Sequence, residues 1–318
     1  MPDDRPTIAG LGEFGLIAEL TRGRVQPAST VLGPGDDAAV VATPDGRVVA
    51  TTDVLVAGVH FRLDWSTPEQ VGRKAAAANL ADVAAMGAVP TALLVGLAAP
   101  AETPVETVAG LADGLWAEAA VVGAGLVGGD VVTSATLTLA ITALGSLEGR
   151  APVTRSGARP GDVVAIAGRL GWAAAGLAVL QRGFRSPGVV VAAHRVPEPP
   201  YAAGPAAAVA GATAMIDVSD GLLADVGHIA DASNVGIDIR TEAFEITQPM
   251  RDASSALGVD PFGWVLTGGD DHPIVATFPA TVTLPERWRV VGRVIDGAGV
   301  TVDGRLHTEG PAGWDHFR

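Results

Sequence analysis

Cysteine is absent from the 318-residue sequence, which excludes disulfides, thiolate metal sites, iron–sulfur clusters and a cysteine nucleophile. Aromatic residues are scarce, at 4% of the chain, and 21 Lys and Arg residues stand against 35 Asp and Glu residues. The resulting net charge of −14 disfavours nonspecific binding to nucleic acid phosphate or to anionic lipid. We therefore expect neither nucleic acid nor a membrane as a partner.

Long uninterrupted hydrophobic runs are also absent. The most apolar segment, residues 74–101, is broken by Asn79, Asp82 and two prolines, so it predicts a buried helix and then a buried strand. The first stretch, MPDDRPTIAG, carries acids and prolines where a signal peptide needs a basic start and an apolar run. These features predict a cytoplasmic protein.

The apolar content is ample for packed cores, because 48% of the residues are hydrophobic and the length suits roughly two domains. Helical and strand patterns mix throughout, which predicts an α/β (α+β) fold with an N-terminal mixed sheet and helices, followed by a C-terminal α/β domain. The polar, Gly- and Pro-rich stretch EGRAPVTRSGARPGD predicts a boundary near residue 150, giving domains 1–149 and 150–318.

Periodicity and turn residues predict the individual elements. Predicted helices cover 13–22, 68–87, 105–123, 171–182 and 219–233, and predicted strands include 90–99, 134–147, 163–168 and 212–218. Residues 194–205 are predicted as a Pro-rich loop, and residues 264–278 as a turn between strands. A Pro-Asp-Gly turn at 44–46 is predicted to join two further strands.

Aspartates recur beside glycines or inside apolar sequence. Asp36 and Asp37 lie in LGPGDDAAVV, and they are followed by Asp53, Asp82, Asp130, Asp217 and Asp220. None has a basic residue four positions away that would indicate a surface helix pair, and a buried carboxylate needs a cation or a donor. Carboxylate oxygens at strand ends and helix starts are the ligands that Mg²⁺ prefers, with coordination positions left for water and phosphate.

Each of these acids alone also fits a cap or an Asx turn. Ser219 could be the N-cap of the helix that follows it, with Asp220 favoured by the helix dipole in the first turn. Asp82 fits such a role least, because an aspartate among alanines in mid-helix has poor propensity and would be buried. Taken together, the acids favour a multi-metal phosphate site.

Two nucleotide-binding motifs can be tested directly. The P-loop pattern GxxxxGK[ST] does not occur. Gly123, Gly125 and Gly128 formally match GxGxxG, but they follow a predicted helix and precede a strand, the reverse of a dinucleotide-binding fingerprint. A glycine-rich approach to phosphate next to Asp130 fits these residues better.

Seven motifs together identify a family resemblance. In chain order they are GDDAAV, TTDVLVAGVHF, NLADVAAMGA, GGDV, TRSGARPGD, DVSDGL and GGDD. The chain resembles the thiamine-monophosphate kinases, of the superfamily that includes aminoimidazole ribonucleotide synthetase. The resemblance implies a two-domain protein that dimerises through its N-terminal ATP- and Mg²⁺-binding domains. It also implies transfer of the γ-phosphoryl group of ATP to thiamine monophosphate, with the C-terminal domain completing the active site.

The resemblance also implies roles for single residues. Those expected to hold several Mg²⁺ ions are Asp37, Thr51, Thr52, Asp53, Asp82, Asp130, Asp217 and Asp220. Those expected to contact ATP are Gly129, Asp130, Arg155 and Ser219, and those expected to contact the thiamine substrate are His60, Asp270 and Trp314. Where the family usually has Glu, Asp, Tyr and Glu after two glycines, this chain has Asp270, Asp271, His272 and Pro273.

The expected chemistry agrees with this residue set. A phosphate acceptor is already anionic at neutral pH, so the reaction needs no general base, and positioning and charge neutralisation are sufficient. Other interpretations stay open: Arg155 as a surface charge, His60 as a packed histidine, and Trp314 as an anchor for the chain end. A non-catalytic Mg-nucleotide or thiamine-phosphate binding protein and another ATP-dependent synthetase of the superfamily are the rival functions. Superfamily members that depend on cysteine or selenocysteine are excluded.

Overall fold

The protein is described by a computed structural model that covers residues 7–34, 39–307 and 312–314. The backbone alone is described for residues 8, 9 and 12–14. The chain divides into two compact units, one formed by residues 1–83 and 89–149 and the other by residues 84–88 and 150–318. Within the described ranges, no helix is both long enough and apolar enough to span a membrane.

The first unit is built on a four-stranded mixed sheet. Its helices are α1 (Ile8–Thr21), α2 (Pro68–Ala85) and α3 (Val105–Val122), and its strands are β1 (Thr30–Leu32), β2 (Val40–Val41), β3 (Val49–Val56), β4 (Val89–Ala99), β5 (Gly125–Thr133) and β6 (Thr138–Ser146). The strand order is β3-β6-β4-β5, with β4 and β5 parallel and the other pairs antiparallel. Strands β1 and β2 form a separate antiparallel ribbon.

Helix α2 begins at a reciprocal cap. The backbone N–H of Thr67 donates to Gln70 Oε1 at 3.0 Å, and the backbone N–H of Gln70 donates to Thr67 Oγ1 at 3.3 Å. This capping box satisfies N–H groups that the first turn leaves without helical partners. Proline is tolerated at position 68, the first of the helix, because an N–H there would have no helical partner. The start of α2 is therefore fixed by local sequence.

Helices α2 and α3 cross at glycines. A Cβ atom on Gly72 would lie 2.0 Å from the Leu111 carbonyl oxygen, and one on Gly114 would lie 2.0 Å from the Glu69 carbonyl oxygen. Any larger residue at either crossing point would push the helix backbones apart. The buried Glu118 carboxylate joins the same two helices, because Arg73 Nε donates to it at 2.9 Å.

The second unit contains a seven-stranded sheet. Its strands are β7 (Val163–Ala167), β8 (Ala214–Asp217), β9 (Gly236–Ile239), β10 (Ile274–Phe278), β11 (Trp288–Ile295), β12 (Gly299–Val302) and β13 (Arg305–Leu306), and its helices are α4 (Trp172–Gln181), α5 (Gly188–Arg195), α6 (Ala203–Ala210), α7 (Leu222–Ser233), α8 (Gln248–Leu257) and α9 (Pro261–Thr267). The strand order is β13-β12-β9-β11-β7-β10-β8, and β8 is an edge strand. All five residues of β10 are buried, so the core of this unit lies around that strand.

The mixed α/β architecture confirms the predicted fold class, while several predicted elements are wrong in detail. Residues 194–205 are not simply a Pro-rich loop, because they include the end of α5 and the start of α6. The segment 264–267 belongs to helix α9 and not to a strand. Ser219 is not the N-cap of α7, since the helix begins at Leu222 and its N-cap is Gly221.

Gly114→Ala is expected to destabilise the first unit, because the added methyl group would meet the Glu69 carbonyl oxygen at the helix crossing. We expect the free energy of unfolding to fall by about 1–3 kcal/mol, the usual cost of overpacking. Urea unfolding measures this loss. Gly15→Ala in α1 is the control, because among the side chains that the structure describes its methyl group would meet Leu11 Cβ alone, at an ordinary 3.6 Å. Equal stability of the two variants would contradict the close crossing.

Candidate functional site

Strand β3 and helix α2 hold the first group of predicted metal-site residues. The Thr51 hydroxyl donates to Asp82 Oδ2 at 2.8 Å, and the Asp53 backbone N–H donates to Asn79 Oδ1 at 3.0 Å. Asn79 is fully buried, and its side-chain amide donates to the Ala75 carbonyl oxygen at 3.0 Å. The structure therefore brings Thr51, Asp53 and Asp82 together, and Asp82 is half-buried, less than the sequence predicts.

Thr52 and Asp130 lie on the opposite face of the same sheet. The register aligns Asp53 with Ile141, Val95 and Gly129 in successive strands. Because side chains alternate along a strand, the neighbouring Thr52 and Asp130 point to the other face. The Thr52 hydroxyl donates to the Ile141 carbonyl oxygen at 2.9 Å, and Asp130 is exposed.

The distance across the sheet limits what these acids can share. Asp53 on β3 and Asp130 on β5 are three inter-strand steps apart, or about 14 Å along the sheet. Since Mg²⁺ binds its oxygen ligands at about 2.1 Å, one ion cannot bind both carboxylates. If both acids bind metal, they bind different ions.

The glycines next to Asp130 lie in a strand and not in a phosphate-binding turn. Gly123 ends α3 in the left-handed region, at φ 70°, whereas Gly125, Gly128 and Gly129 belong to β5. A Cβ atom on Gly129 would lie 2.1 Å from the Val95 carbonyl oxygen, so glycine is needed there for close strand pairing. This arrangement agrees with the rejection of a dinucleotide-binding fingerprint.

Gly129 and Asp130 line a cavity of about 960 Å³ in the first unit. Its walls are mostly apolar side chains from α1, α3 and strands β4, β5 and β6. Pro34 and Ala39 line it too, and these residues flank the predicted metal ligand Asp37 in the sequence. Asp37 itself lies outside the described residues.

His60 follows β3 in a short turn that fixes its tautomer. The Val56 backbone N–H donates to His60 Nδ1 at 2.9 Å, so that nitrogen is an acceptor. The proton of the neutral ring then lies on Nε2, which becomes a donor suited to a phosphate oxygen. One ring nitrogen therefore supports the fold, and the other has the chemistry that a substrate contact requires.

Backbone hydrogen bonds in the second unit join two loops into one element, here called the double loop, made of residues 217–221 and 268–273. The strand pairing of β8 with β10 continues past both strands. The Val218 N–H donates to the Pro273 carbonyl oxygen at 2.9 Å, and the His272 N–H donates to the Val218 carbonyl oxygen at 3.1 Å. The Asp270 N–H donates to the Ser219 carbonyl oxygen at 2.8 Å.

Special backbone residues make the double loop possible. A Cβ atom on Gly269 would lie 2.1 Å from the Ser219 carbonyl oxygen, which excludes any other residue at this position. Asp270 and His272 adopt φ angles of 74° and 52°, in the left-handed region that is uncommon for residues other than glycine. Such conformations cost about 1–3 kcal/mol each and persist where the surrounding contacts enforce them.

Side chains of the double loop form a polar chain. His272 Nδ1 lies 3.0 Å from Asp217 Oδ2, and both side chains are buried. On the other side of the ring, His272 Nε2 lies 4.0 Å from Asp270 Oδ1, and His194 Nδ1 lies 3.6 Å from Asp270 Oδ2. The sequence shows His272 only as a departure from the family pattern, and nothing in it indicates His194.

Two buried carboxyl groups connect the double loop to neighbouring helices by hydrogen bonds. Asp225 in the first turn of α7 accepts hydrogen bonds from the backbone N–H groups of Asp220 and Gly221, both at 3.1 Å. Burial raises the pKa of Asp225 to about 7, although these N–H groups act in the opposite direction. The sequence offers only one signal for Asp225, an acid near a helix start, which normally indicates simple capping.

Asp271 plays a similar part at helix α4. Its Oδ1 accepts the Ala173 backbone N–H at 3.0 Å, in the first turn of that helix. Burial raises the pKa of Asp271 to about 7, while the Ala173 N–H and the nearby Arg169 charge oppose the shift. The double loop is thereby tied to the starts of both α4 and α7.

Arg155 and Trp314 complete the group of predicted residues in this unit. The Met215 N–H of β8 donates to the Thr154 carbonyl oxygen at 3.0 Å, so the segment with Arg155 runs beside that edge strand. The Trp314 N–H donates to the Asp220 carbonyl oxygen at 2.9 Å, while 60% of Trp314 is exposed. The backbone of Trp314 is thus attached to the double loop, and its ring is accessible to a ligand.

The residues present fit Mg²⁺ in a particular way. Within the described ranges, no group of three or more His, Asp or Glu side chains could hold a metal ion by itself. Mg²⁺ rarely needs such a cage, because it usually keeps several waters and binds one or two carboxylates together with substrate phosphates. The oxygens of Asp217, Ser219 and Asp220 on one short loop suit this mode.

Comparison with known families defines the class of protein. Residues 35–147 match the N-terminal domain of AIR synthase related proteins, and residues 159–305 match their C-terminal domain. The two matches cover most of the chain and assign the protein to the AIR synthase related class.

Individual relatives define the family more narrowly. The chain is 54% identical to the thiamine-monophosphate kinase of Mycobacterium tuberculosis, covering 99% of this chain and 94% of that protein. It is 44% identical to the kinase of the same name from Corynebacterium glutamicum, over 92% of this chain and 88% of that protein. A solved structure of AaThiL complexed with AMPPCP and TMP matches with a TM-score of 0.80 and 32% identity, covering 99% of this chain and 100% of that one. The chain belongs to the thiamine-monophosphate kinase family.

The raised pKa of Asp271 predicts a pH dependence of stability. Because the folded-state pKa of about 7 lies above the ordinary 3.8, the folded protein binds this proton more tightly than the unfolded chain does. The stability that this group contributes is present at low pH and is lost as the pH rises through about 7. Asp271→Asn mimics the protonated form, so its stability relative to the wild type should increase as the pH rises from 3.8 to about 7 and should stay constant above that.

Thermal unfolding at several pH values, in the presence of EDTA, measures this difference. Asp296→Asn is the control, because Asp296 is exposed in the turn after β11. A stability difference between Asp271→Asn and the wild type that stays constant with pH would show that Asp271 does not titrate in this range.

Proposed function

We propose that this protein transfers the γ-phosphoryl group of ATP to thiamine monophosphate, giving thiamine diphosphate and ADP. The observation that carries the proposal is the double loop, where Asp217, Ser219, Asp220 and Asp270 lie together and to which the backbone of Trp314 is attached. We infer the substrate from the named relatives, because they share up to 54% identity with this protein over almost the whole chain. Magnesium, homodimerisation and a cytoplasmic location belong to the same proposal.

The reaction is a direct displacement. An oxygen of the acceptor phosphate forms a bond to the γ-phosphorus, and the bond from that phosphorus to the β–γ bridging oxygen breaks, so ADP leaves with the electron pair. The acceptor oxygen carries no proton that must be removed, and catalysis reduces to alignment and charge neutralisation. Bound Mg²⁺ ions would supply that neutralisation of the facing phosphates.

The protein's own residues divide the remaining tasks. We assign metal binding to Asp37, Thr51, Thr52, Asp53, Asp82, Asp130, Asp217 and Asp220. Arg155, Ser219 and Gly129 would bind ATP, and the His60 Nε2–H would donate to the thiamine substrate. The separation of Asp53 from Asp130 supports more than one ion, in line with a triphosphate that carries charge along its length.

Trp314 and Asp270 would recognise the cationic part of the substrate. The exposed Trp314 ring can cover a thiazolium ring by stacking and cation–π attraction, which contributes roughly 1–2 kcal/mol when the cation is desolvated. Asp270 is one methylene shorter than the glutamate usual in the family, so its contact with the substrate is either lost or bridged by water. The proposed ATP-binding residues therefore match the family pattern more completely than the proposed thiamine-binding residues do.

The outward face of the first unit's sheet supports the proposed homodimer. Val54 on β3 is 49% exposed, and its row across the sheet continues through Ala140 and Gly96 and ends at Asp130, while Val132 on the same face of β5 is 50% exposed. Apolar sheet faces of this kind usually pack against another surface. A second copy of the same face is the partner that we propose.

Purified protein with Mg²⁺-ATP is expected to convert thiamine monophosphate to thiamine diphosphate and to leave thiamine and aminoimidazole precursors unchanged. Separation of the products by chromatography measures this directly.

Asp130→Asn should lower kcat by on the order of 100-fold or more, because it removes a proposed metal-binding charge, while far-UV circular dichroism stays unchanged.

The control for the lost charge is Asp296→Asn, which should keep the wild-type rate. Tight binding of ATP and thiamine monophosphate without any diphosphate formed over hours would favour a non-catalytic sensor. Conversion of an aminoimidazole precursor would favour another synthetase of the class. A near-normal rate for Asp130→Asn would make Asp130 a structural residue only.

Val54→Glu is expected to separate the proposed dimer, because it places a charge on the apolar surface proposed as the interface. Sedimentation or light scattering should give the mass of two chains for the wild type and of one chain for the variant. Val121→Glu is the control, since Val121 is 62% exposed on α3. A wild-type protein with the mass of one chain would contradict the dimer.

A further inference from the structure

We infer that His272 is a positioning residue of the active site, which holds the Asp217 carboxylate in one orientation and links it to Asp270. The inference rests on the proposed function, because Asp217 is proposed there as a metal ligand and Asp270 as a substrate contact. The side chains of His272 and Asp217 are 7% and 8% exposed, so their contact is shielded from solvent.

The backbone fixes the position from which the His272 side chain projects. Its N–H donates to the Val218 carbonyl oxygen, and its φ of 52° lies in the left-handed region. A residue other than glycine remains there only when neighbouring contacts enforce the conformation. His272 is therefore placed by the double loop, and its ring can in turn orient other groups.

The first arm of the ring restrains Asp217. At 3.0 Å the Nδ1–H donates to Oδ2, since a carboxylate can only accept. This hydrogen bond blocks rotation of the carboxylate, which fixes the direction of its second oxygen. Hydrogen-bonded partners behind a metal-ligating carboxylate tune its affinity, and their loss typically costs 10–100-fold in metal binding or activity.

The second arm of the ring faces Asp270. Nε2 lies 4.0 Å from Asp270 Oδ1, beyond direct hydrogen bonding but within reach of a bridging water. His194, which is buried in the last turn of α5, approaches the other oxygen of Asp270 at 3.6 Å. Asp270 thus lies between two imidazole rings, and its position depends on the ring that also holds Asp217.

Two substitutions separate the contribution of the nitrogens from that of the ring volume. His272→Phe keeps an aromatic ring and removes both nitrogens. His272→Asn places an amide N–H near the position of Nδ1, tolerates the left-handed backbone well, and does not reach Asp270. His228→Phe on the exposed side of α7 is the matched control.

Binding of Mn²⁺ without substrate, followed by its electron paramagnetic resonance signal, is the primary measurement. We expect His272→Phe to weaken Mn²⁺ binding by about 10-fold or more and His272→Asn to restore it to within about 3-fold of the wild type. The KM for thiamine monophosphate should rise in both variants, because both lose the arm toward Asp270. The control His228→Phe should bind Mn²⁺ and thiamine monophosphate as the wild type does.

Wild-type Mn²⁺ affinity in a folded His272→Phe variant would overturn the inference, and so would equal weakening in a folded His272→Asn variant. Should the Phe variant fail to fold, the Asn variant still decides the matter through its retained affinity and raised KM. Failure of the wild type to phosphorylate thiamine monophosphate would refute the proposed function, while the Mn²⁺ measurement would still test His272 independently.

Discussion

Backbone hydrogen bonds between the two halves of the double loop are the constraint on which the second unit's candidate site depends. Strands β8 and β10 could have separated after Asp217, but their pairing continues through Val218 and Ser219. Because of this continuation, residues more than 50 positions apart in the sequence present their side chains from one surface. The requirement for glycine at position 269 and the left-handed conformations of Asp270 and His272 are the local cost of that arrangement.

Several acids lie close together in and beside the double loop, and their charges must be balanced. Two of the acids, Asp225 and Asp271, are buried, and their pKa values of about 7 reduce the negative charge beneath the loop at neutral pH. A third, Asp217, is held by an imidazole donor. A site intended for phosphates needs this restraint, since an unbalanced cluster of carboxylates would repel the ligand unless cations were present.

Sequence patterns predict the regular elements well, because alternating or helical burial leaves a periodic signal. Helix α2 and strand β4 end within two residues of their predicted limits. The pattern misses α5 and α6, where prolines and alanines obscure the helical period, and it takes α9 for a strand. It also cannot show that Thr52 and Asp130 face away from Asp53, because the side of a sheet depends on strand register and not on local sequence. The contacts of Asp225 and His194 cannot be predicted from the sequence for the same reason, because they arise from long-range packing.

The contacts of the candidate acids agree with a reaction that needs no general base. Asp217 accepts from His272, and Asp82 accepts from Thr51. These hydrogen bonds hold each carboxylate in one orientation, as a ligand to a cation requires. The proposed role of His272 agrees with this, because its imidazole orients a carboxylate and takes no proton from the phosphate acceptor.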